Sequence, residues 1–191
     1  MSATRDYLTI VSGLPRSGTS MMMRMLDKGG LPVIVDNIRT ADEDNPRGYY
    51  EFEPVKKTKE DASWLESSDG KVVKMVYRLL YDLPENHQYR IVFMRRRLEE
   101  VIASQNVMLE RRGKEGGISD EKVLELFRAE LDKCYKWLED QPNFQVLFIS
   151  YNDVLEDARP TVDALRDFLG EDLDEKAMLQ VVEPNLYRQR K

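Results

Sequence analysis

Residues 7–26, YLTIVSGLPRSGTSMMMRML, decide the fold of this chain. The stretch opens with a short apolar run over residues 7–11, rich in β-branched side chains, which predicts a buried strand. A turn with two glycines follows, and residues 21–26 are then an unbroken run of good helix formers. Such a unit aims backbone N–H groups and the positive end of the helix dipole at one point. The sequence therefore predicts a site for an oxyanion: a phosphate, a sulfate or a carboxylate.

The turn matches only part of the phosphate-binding loop G-x-x-x-x-G-K-[ST] of kinases and ATPases. Gly13 and Gly18 have the required spacing, but Thr19 stands where the lysine should be. Kinases use that lysine and Mg²⁺ to neutralise a pair of phosphates. This loop instead offers one cation and three hydroxyl groups, from Arg16, Ser17, Thr19 and Ser20. It suits an anion of lower charge, such as a sulfuryl group with one negative charge, where a terminal phosphate carries about two.

Residues 15–20, PRSGTS, resemble the 5′-phosphosulfate loop P-[KR]-[ST]-G-T-[ST] of sulfotransferases that use 3′-phosphoadenosine 5′-phosphosulfate (PAPS). The alternative is an ordinary strand–helix turn that binds nothing. The resemblance implies PAPS as co-substrate, 3′,5′-ADP as product and no metal. It also implies that Arg16 balances charge on the leaving group, and that the donor is bound by Arg16, Ser17, Gly18, Thr19 and Ser20.

Three consecutive arginines, residues 95–97, stand between a predicted strand at 89–94 and a predicted helix. Cations are unfavourable at the start of a helix, so the presence of three arginines here indicates a functional role. In the sulfotransferases an arginine after a strand and a serine eight residues later hold the 3′-phosphate of PAPS. Arg96 and Ser104 have that spacing. Arg95 is the candidate if the register differs by one, and a solvated basic cluster is the alternative.

Two further strings resemble those of sulfotransferases. Residues 45–51, NPRGYYE, are similar to NP-x-G-[YF]-[YW]-E in some bacterial members; the alternative is a turn with two aromatics packed for stability. Residues 151–170 are similar to Y-E-D-L…P…F-L-G, which implies that Tyr151 lies near the adenine. Asn152 stands in place of the usual glutamate of that string.

An acceptor that receives a sulfuryl group must lose a proton, so the reaction needs a base. The single histidine, His87, lies in a predicted surface turn, which favours a carboxylate. Asp36 follows a second predicted strand, about where sulfotransferases that use a glutamate place their base. Glu51 and Asp42 are its rivals.

The composition argues against several classes of function. The net charge of −6 argues against general nucleic-acid binding, and the single cysteine, Cys134, excludes intrachain disulfides and cysteine-based metal sites. Cys134 is predicted to be a core residue. No apolar run reaches the ~20 residues of a membrane span, and no apolar signal core precedes the first strand. We therefore expect a cytoplasmic protein without a membrane or nucleic-acid partner.

Apolar strands alternate with helices along the chain, so we expect one α/β domain over residues 1–191 with a three-layer, P-loop-like fold. The expected parallel sheet has four or five strands with helices on both faces, and its ligand lies at the carboxyl ends of the strands. The predicted strands are residues 7–11, 31–35, 71–77, 89–94 and 144–149, and helices are predicted at 54–65, 121–140 and 174–182. The basic tail at 187–191 is expected to be a solvated end.

The function expected from these motifs is transfer of a sulfuryl group from PAPS to a hydroxyl or amine of a small-molecule or carbohydrate acceptor. Two alternatives stay open: a P-loop kinase of a nucleoside or small metabolite, and a non-catalytic protein that binds 3′-phosphorylated nucleotides. The loops at 36–51 and 111–118 are expected to shape the acceptor pocket. That pocket could be reduced, open to solvent, or completed by a second copy of the chain in a homo-oligomer.

Overall fold

The computed structural model describes residues 6–39, 42, 45, 47–111, 113, 117–170 and 172–182. Its strands are β1 (Tyr7–Gly13), β2 (Val72–Lys74), β3 (Gln88–Arg95) and β4 (Phe144–Ser150). Its α-helices are α1 (Thr19–Lys28), α2 (Leu98–Arg111), α3 (Asp120–Glu139), α4 (Tyr151–Glu156), α5 (Arg159–Leu169) and α6 (Glu175–Leu179). The strands form one parallel sheet in the order β2-β1-β3-β4. This arrangement confirms the predicted α/β fold with a central parallel sheet.

The sheet is covered on both faces because its strands are apolar on both faces. Alternate residues of β1 point to opposite sides, so Ile10 and Val11 belong to two separate hydrophobic cores. The core on the side of Val11 packs α1, α5 and α6 against the sheet, and the core on the side of Ile10 receives α2 and α3. Cys134 of α3 is fully buried in the second core, which confirms its predicted place.

Two predicted elements are wrong. Residues 31–35 form no strand: Val33 makes a single bridge to Val72, and the segment follows β2 for only a few residues. Pro32 lacks the N–H that a longer ladder requires. The helix predicted at 54–65 is instead two short 3-10 helices, Glu53–Lys57 and Ser63–Ser67. Between them the carboxylate of Asp61 accepts a hydrogen bond from the backbone N–H of Ser63, a local bond that competes with helix.

All four strands run the same way, so their carboxyl ends share one edge of the sheet. The loop before α1, the arginines after β3 and Tyr151 after β4 therefore meet there, together with the last residue of β2. In the described part of the chain no helix is both long and apolar enough to cross a bilayer. The predicted basic tail at 187–191 lies outside the described residues.

Candidate active site

A cleft of about 540 Å³ opens at the carboxyl ends of the strands. Its volume lies within the roughly 300–1,000 Å³ typical of pockets for small ligands. The sequence-predicted residues that line it are Arg16, Gly18, Thr19, Ser20, Glu51, Arg96, Ser104 and Tyr151. Residues from four separated motifs are thus brought together in one cleft, whereas Ser17 and Asp36 are not among its lining residues.

The loop between β1 and α1 is held in an unusual backbone path. Arg16 has a left-handed conformation with φ 72°, and the glycine that precedes α1, Gly18, has φ 95°. The buried hydroxyl of Ser17 donates to the carbonyl of Leu14 at 2.7 Å, and its backbone N–H donates to the same oxygen at 3.2 Å. Ser17 therefore closes the turn rather than facing the cleft.

Gly18 is required by space as well as by conformation. A Cβ atom at this position would lie 2.3 Å from Cδ2 of the Tyr151 ring. We expect Gly18→Ala to lower the free energy of unfolding by about 1–3 kcal/mol from this overlap, beyond the cost of its positive φ. Gly30→Ala is the matched control, because Gly30 has φ +98° and no atom within 4 Å of the added Cβ. Urea unfolding measures the free energy of unfolding of both variants. Equal losses in the two variants would show that the overlap with Tyr151 contributes nothing.

The loop is tied to the elements after β3 by two arginine side chains. Nη1 of Arg96 donates to the carbonyl of Arg16 at 3.0 Å, and Nε of Arg16 donates to Oγ of Ser104 on α2 at 2.9 Å. The Arg96 guanidinium also lies 4.6 Å from the centre of the Tyr151 ring. Arg95, by contrast, stacks on Phe148 with 3.6 Å to the ring centre and does not line the cleft. Of the two candidates, the geometry favours Arg96.

A buried carboxylate fixes the position of Arg96. The Glu100 side chain has no solvent exposure and accepts a hydrogen bond from Nε of Arg96 at 3.0 Å. The amide nitrogen of Asn152 donates to both Glu100 oxygens at 3.1 Å. A glutamate at position 152, as in the family string, would set a second carboxylate against Glu100. The amide of Asn152 is therefore compatible with the buried Glu100 carboxylate, because it donates hydrogen bonds where a glutamate would repel it.

Lys74, at the end of β2, is a site residue that the sequence analysis missed. Its side chain is only 14% exposed. Its ammonium group donates to the carbonyl of Tyr49 and, at 3.4 Å, to Oγ of Ser20 at the start of α1. Burial lowers the pKa of Lys74 to about 8, although the nearby Glu51 carboxylate raises it. A charged residue ending an apolar strand beside the loop-bearing strand was the signal that could have found it.

Glu51 and Arg39 complete a group around Lys74. Oε1 of Glu51 accepts a hydrogen bond from Nη1 of Arg39 at 2.9 Å and lies 3.8 Å from Nζ of Lys74. The Arg39 guanidinium in turn stacks 3.3 Å above the centre of the Tyr49 ring. We call these four residues, Arg39, Tyr49, Glu51 and Lys74, the Lys74 cluster. It faces the cleft next to Ser20.

The other two carboxylates considered as bases have structural contacts instead. Asp36 accepts hydrogen bonds from the backbone N–H groups of Glu53 at 2.6 Å and Ile38 at 3.0 Å, and these bonds lower its pKa. Asp42 accepts one from the hydroxyl of Tyr49 and is not a lining residue. The geometry therefore favours Glu51 among the three predicted acids.

The cleft is strongly cationic. Among the described residues that line it, one is acidic, Glu51, and seven are basic: Arg16, Arg24, Arg39, Arg47, Lys74, Arg96 and Arg111. The chain as a whole has a net charge of −6. The cleft is therefore rich in basic residues although the chain as a whole is acidic. A cleft lined by positive charge attracts negatively charged ligands.

Comparison with known proteins agrees with the fold. Residues 126–190 match the sequence model of the sulfotransferase domain, which covers about a third of the chain. The structure resembles the sulfotransferase domain from the curacin biosynthetic pathway, at 16% identity with a TM-score of 0.57. That match covers 95% of this chain and 79% of the other.

Two further solved structures show the same fold. The mouse sulfotransferase SULT7A1 complexed with PAP matches at 17% identity and a TM-score of 0.59, over 93% of this chain and 63% of that one. Retinol dehydratase in complex with androsterone and inactive cofactor PAP matches at 17% identity and a TM-score of 0.50, over 96% and 65%. This chain thus spans less than two thirds of these two proteins. No curated protein sequence matches it.

Proposed function

We infer that this chain is a sulfotransferase that transfers a sulfuryl group from PAPS to a hydroxyl or amine of a small acceptor. The observation that carries the proposal is the meeting of the PRSGTS loop, Arg96 and Ser104 in one cationic cleft. The loop has no lysine after Gly18, so it does not provide the phosphate contacts that a kinase requires.

The residues of the cleft fit a bisphosphorylated donor. The start of α1, with the hydroxyls of Thr19 and Ser20, offers donors to the 5′-phosphosulfate. Arg16 lies in this loop and would stabilise the negative charge that develops on the bridging oxygen as 3′,5′-ADP leaves. Arg96 and Ser104, which both hydrogen-bond to Arg16, would hold the 3′-phosphate, and Tyr151 would lie against the adenine.

The Lys74 cluster would receive the acceptor. In the reaction a bond forms between sulfur and the acceptor oxygen or nitrogen, the bond from sulfur to the bridging oxygen breaks, and the acceptor's proton passes to a base. The neutral amine of Lys74 suits this task because a general base works best with a pKa near the operating pH. The Glu51 carboxylate would hold Lys74 in place, and it is the alternative base.

The pH dependence of kcat distinguishes these two bases. We expect kcat to rise with a midpoint near pH 8, because the Lys74 amine is protonated below that pH and neutral above it. Lys74→Met should abolish the rise. Glu51→Gln should move the midpoint to lower pH, because the Glu51 carboxylate raises the pKa of Lys74. If kcat is instead constant from about pH 6 to 9, Glu51 is the base that receives the proton of the acceptor.

The nucleotide preference tests the proposal as a whole. Thermal stabilisation should be greater with 3′,5′-ADP than with ADP, ATP or ATP plus Mg²⁺ at the same concentration, since a ligand that binds the folded chain more tightly stabilises it more. Ser104→Ala should reduce the preference for the 3′-phosphate, whereas the exposed Ser67→Ala should not. Preference for ATP plus Mg²⁺ would favour the kinase. Binding of 3′,5′-ADP without turnover of PAPS on any acceptor would favour the non-catalytic alternative.

A further inference from the structure

We propose that the acceptor carries an anionic group, a carboxylate, sulfate or phosphate, close to the hydroxyl or amine that receives the sulfuryl group. The inference rests on the proposed function and names the chemical class of its second substrate. It is carried by the cations that line the cleft on the side of the Lys74 cluster.

Two groups of polar residues in the cleft contact the loop at different residues. One group contacts Arg16: Arg96 through the Arg16 carbonyl, and Ser104 through the Arg16 guanidinium. The other group contacts the start of α1, where Lys74 lies 3.4 Å from Oγ of Ser20. The proposed function assigns the first group to the 3′-phosphate of the donor and leaves Arg39 and Lys74 for the acceptor.

The second group has more positive charge than its own carboxylate balances. Below about pH 8, where Lys74 is protonated, Arg39 and Lys74 share one acid among the described residues, Glu51, at 2.9 and 3.8 Å from Oε1. A neutral phenol or sugar would leave this positive field unused, whereas an anion would add charge-assisted hydrogen bonds from planar, pre-positioned donors.

Arg39 is the residue best placed to bind the anion. Its guanidinium is stacked on the ring of Tyr49 at 3.3 Å and held from one side by Glu51. Its side chain is still 35% exposed, and Arg39 lines the cleft. A fork held by stacking loses little conformational freedom when it binds, which makes it an effective site for a carboxylate, sulfate or phosphate.

Matched acceptor pairs provide the test. The members of each set differ at one group: phenol against 4-hydroxybenzoate, and a neutral hexose against its uronic acid, its sulfate ester and its phosphate ester. We expect kcat/KM to favour the anionic member about 10–100-fold, in line with charge-assisted hydrogen bonds. The uronic acid, sulfate and phosphate arms identify which anion is preferred. High salt should reduce the preference, since part of the cleft is open to solvent.

Arg39→Gln tests the assignment to the acceptor. We expect this variant to lose most of the anionic-to-neutral ratio of kcat/KM while its affinity for 3′,5′-ADP, measured by calorimetry, changes less than twofold. Arg128→Gln is the control, because Arg128 is an exposed arginine outside the cleft, 3.5 Å from Glu99. Loss of 3′,5′-ADP affinity in Arg39→Gln would assign this arginine to the donor and overturn the proposal.

The outcomes separate this inference from the proposed function. Turnover of PAPS with equal kcat/KM for neutral and anionic acceptors would overturn the anionic acceptor and leave sulfuryl transfer standing. Absence of 3′,5′-ADP binding in the wild-type protein would overturn sulfuryl transfer itself, and the acceptor class with it.

Discussion

Arg16→Ala should lower kcat for sulfuryl transfer by about 10²–10³-fold, the loss seen when one pre-positioned donor to a developing oxyanion is removed. The guanidinium of Arg16 lies in the loop at the start of α1 and is aimed by its bond to Ser104 at 2.9 Å. Removal leaves charge on the leaving oxygen without its nearest loop cation. The measurement is kcat with PAPS at saturating acceptor, together with 3′,5′-ADP affinity by calorimetry.

The fold should tolerate this change. Arg16 has φ 72°, a conformation that costs Arg and Ala a similar amount, so the midpoint of thermal unfolding should move by only a few degrees. Arg97→Ala is the matched control: Arg97 belongs to the same basic run as Arg96 but has a side chain that is 65% exposed and does not line the cleft. If Arg16→Ala retains kcat within a factor of three of Arg97→Ala, the role given to Arg16 is wrong.

Glu100→Ala should lower the free energy of unfolding by about 3–5 kcal/mol, the cost of leaving one partner of a buried ion pair alone. The Arg96 guanidinium is 8% exposed and has its Nε–H bonded to Glu100, so no water can readily replace the carboxylate. The amide of Asn152 would lose its acceptor as well. Urea unfolding of the whole chain measures the change.

Two further variants make the result specific. Glu99→Ala removes the neighbouring acid, whose side chain is 52% exposed, and should cost no more than about 1 kcal/mol. Arg96→Met combined with Glu100→Leu should recover much of the stability lost in Glu100→Ala, because an apolar pair replaces the unpaired charge. That double variant should still fail to bind 3′,5′-ADP tightly. Equal stability of Glu99→Ala and Glu100→Ala would show that the pair contributes nothing.

The sequence was informative where structure depends on neighbours in the chain. The spacing of Gly13 and Gly18 between an apolar run and a helix-forming run predicted the loop, and the structure has β1, the turn and α1 in those places. The apolar strands were located within a few residues for the same reason. The exception is residues 31–35, where the apolar composition was outweighed by the missing N–H of Pro32.

The acids were harder to rank because their chemistry depends on distant partners. Asp36, Asp42 and Glu51 are all acids in one polar loop of the sequence. Backbone N–H groups from Ile38 and Glu53 bind both oxygens of Asp36, whereas Glu51 turns toward Arg39 and Lys74. The positions of these carboxylates are set by how the loop packs against β2, which no local pattern records.

The sequence by itself determined the strand–loop–helix unit, the parallel α/β architecture and the family resemblance, because turn geometry and hydrophobic alternation are local properties of a chain. Only the tertiary structure decided that Lys74 is buried beside Ser20, that Glu100 and Asn152 hold Arg96, and that seven cations line one cleft. Arg96 and Glu100 are four positions apart, but the contacts of Lys74 with Ser20 and of Asn152 with Glu100 join residues 54 and 52 positions apart, and their strength comes from shared burial. Burial is a property of the folded molecule and not of any one stretch of it.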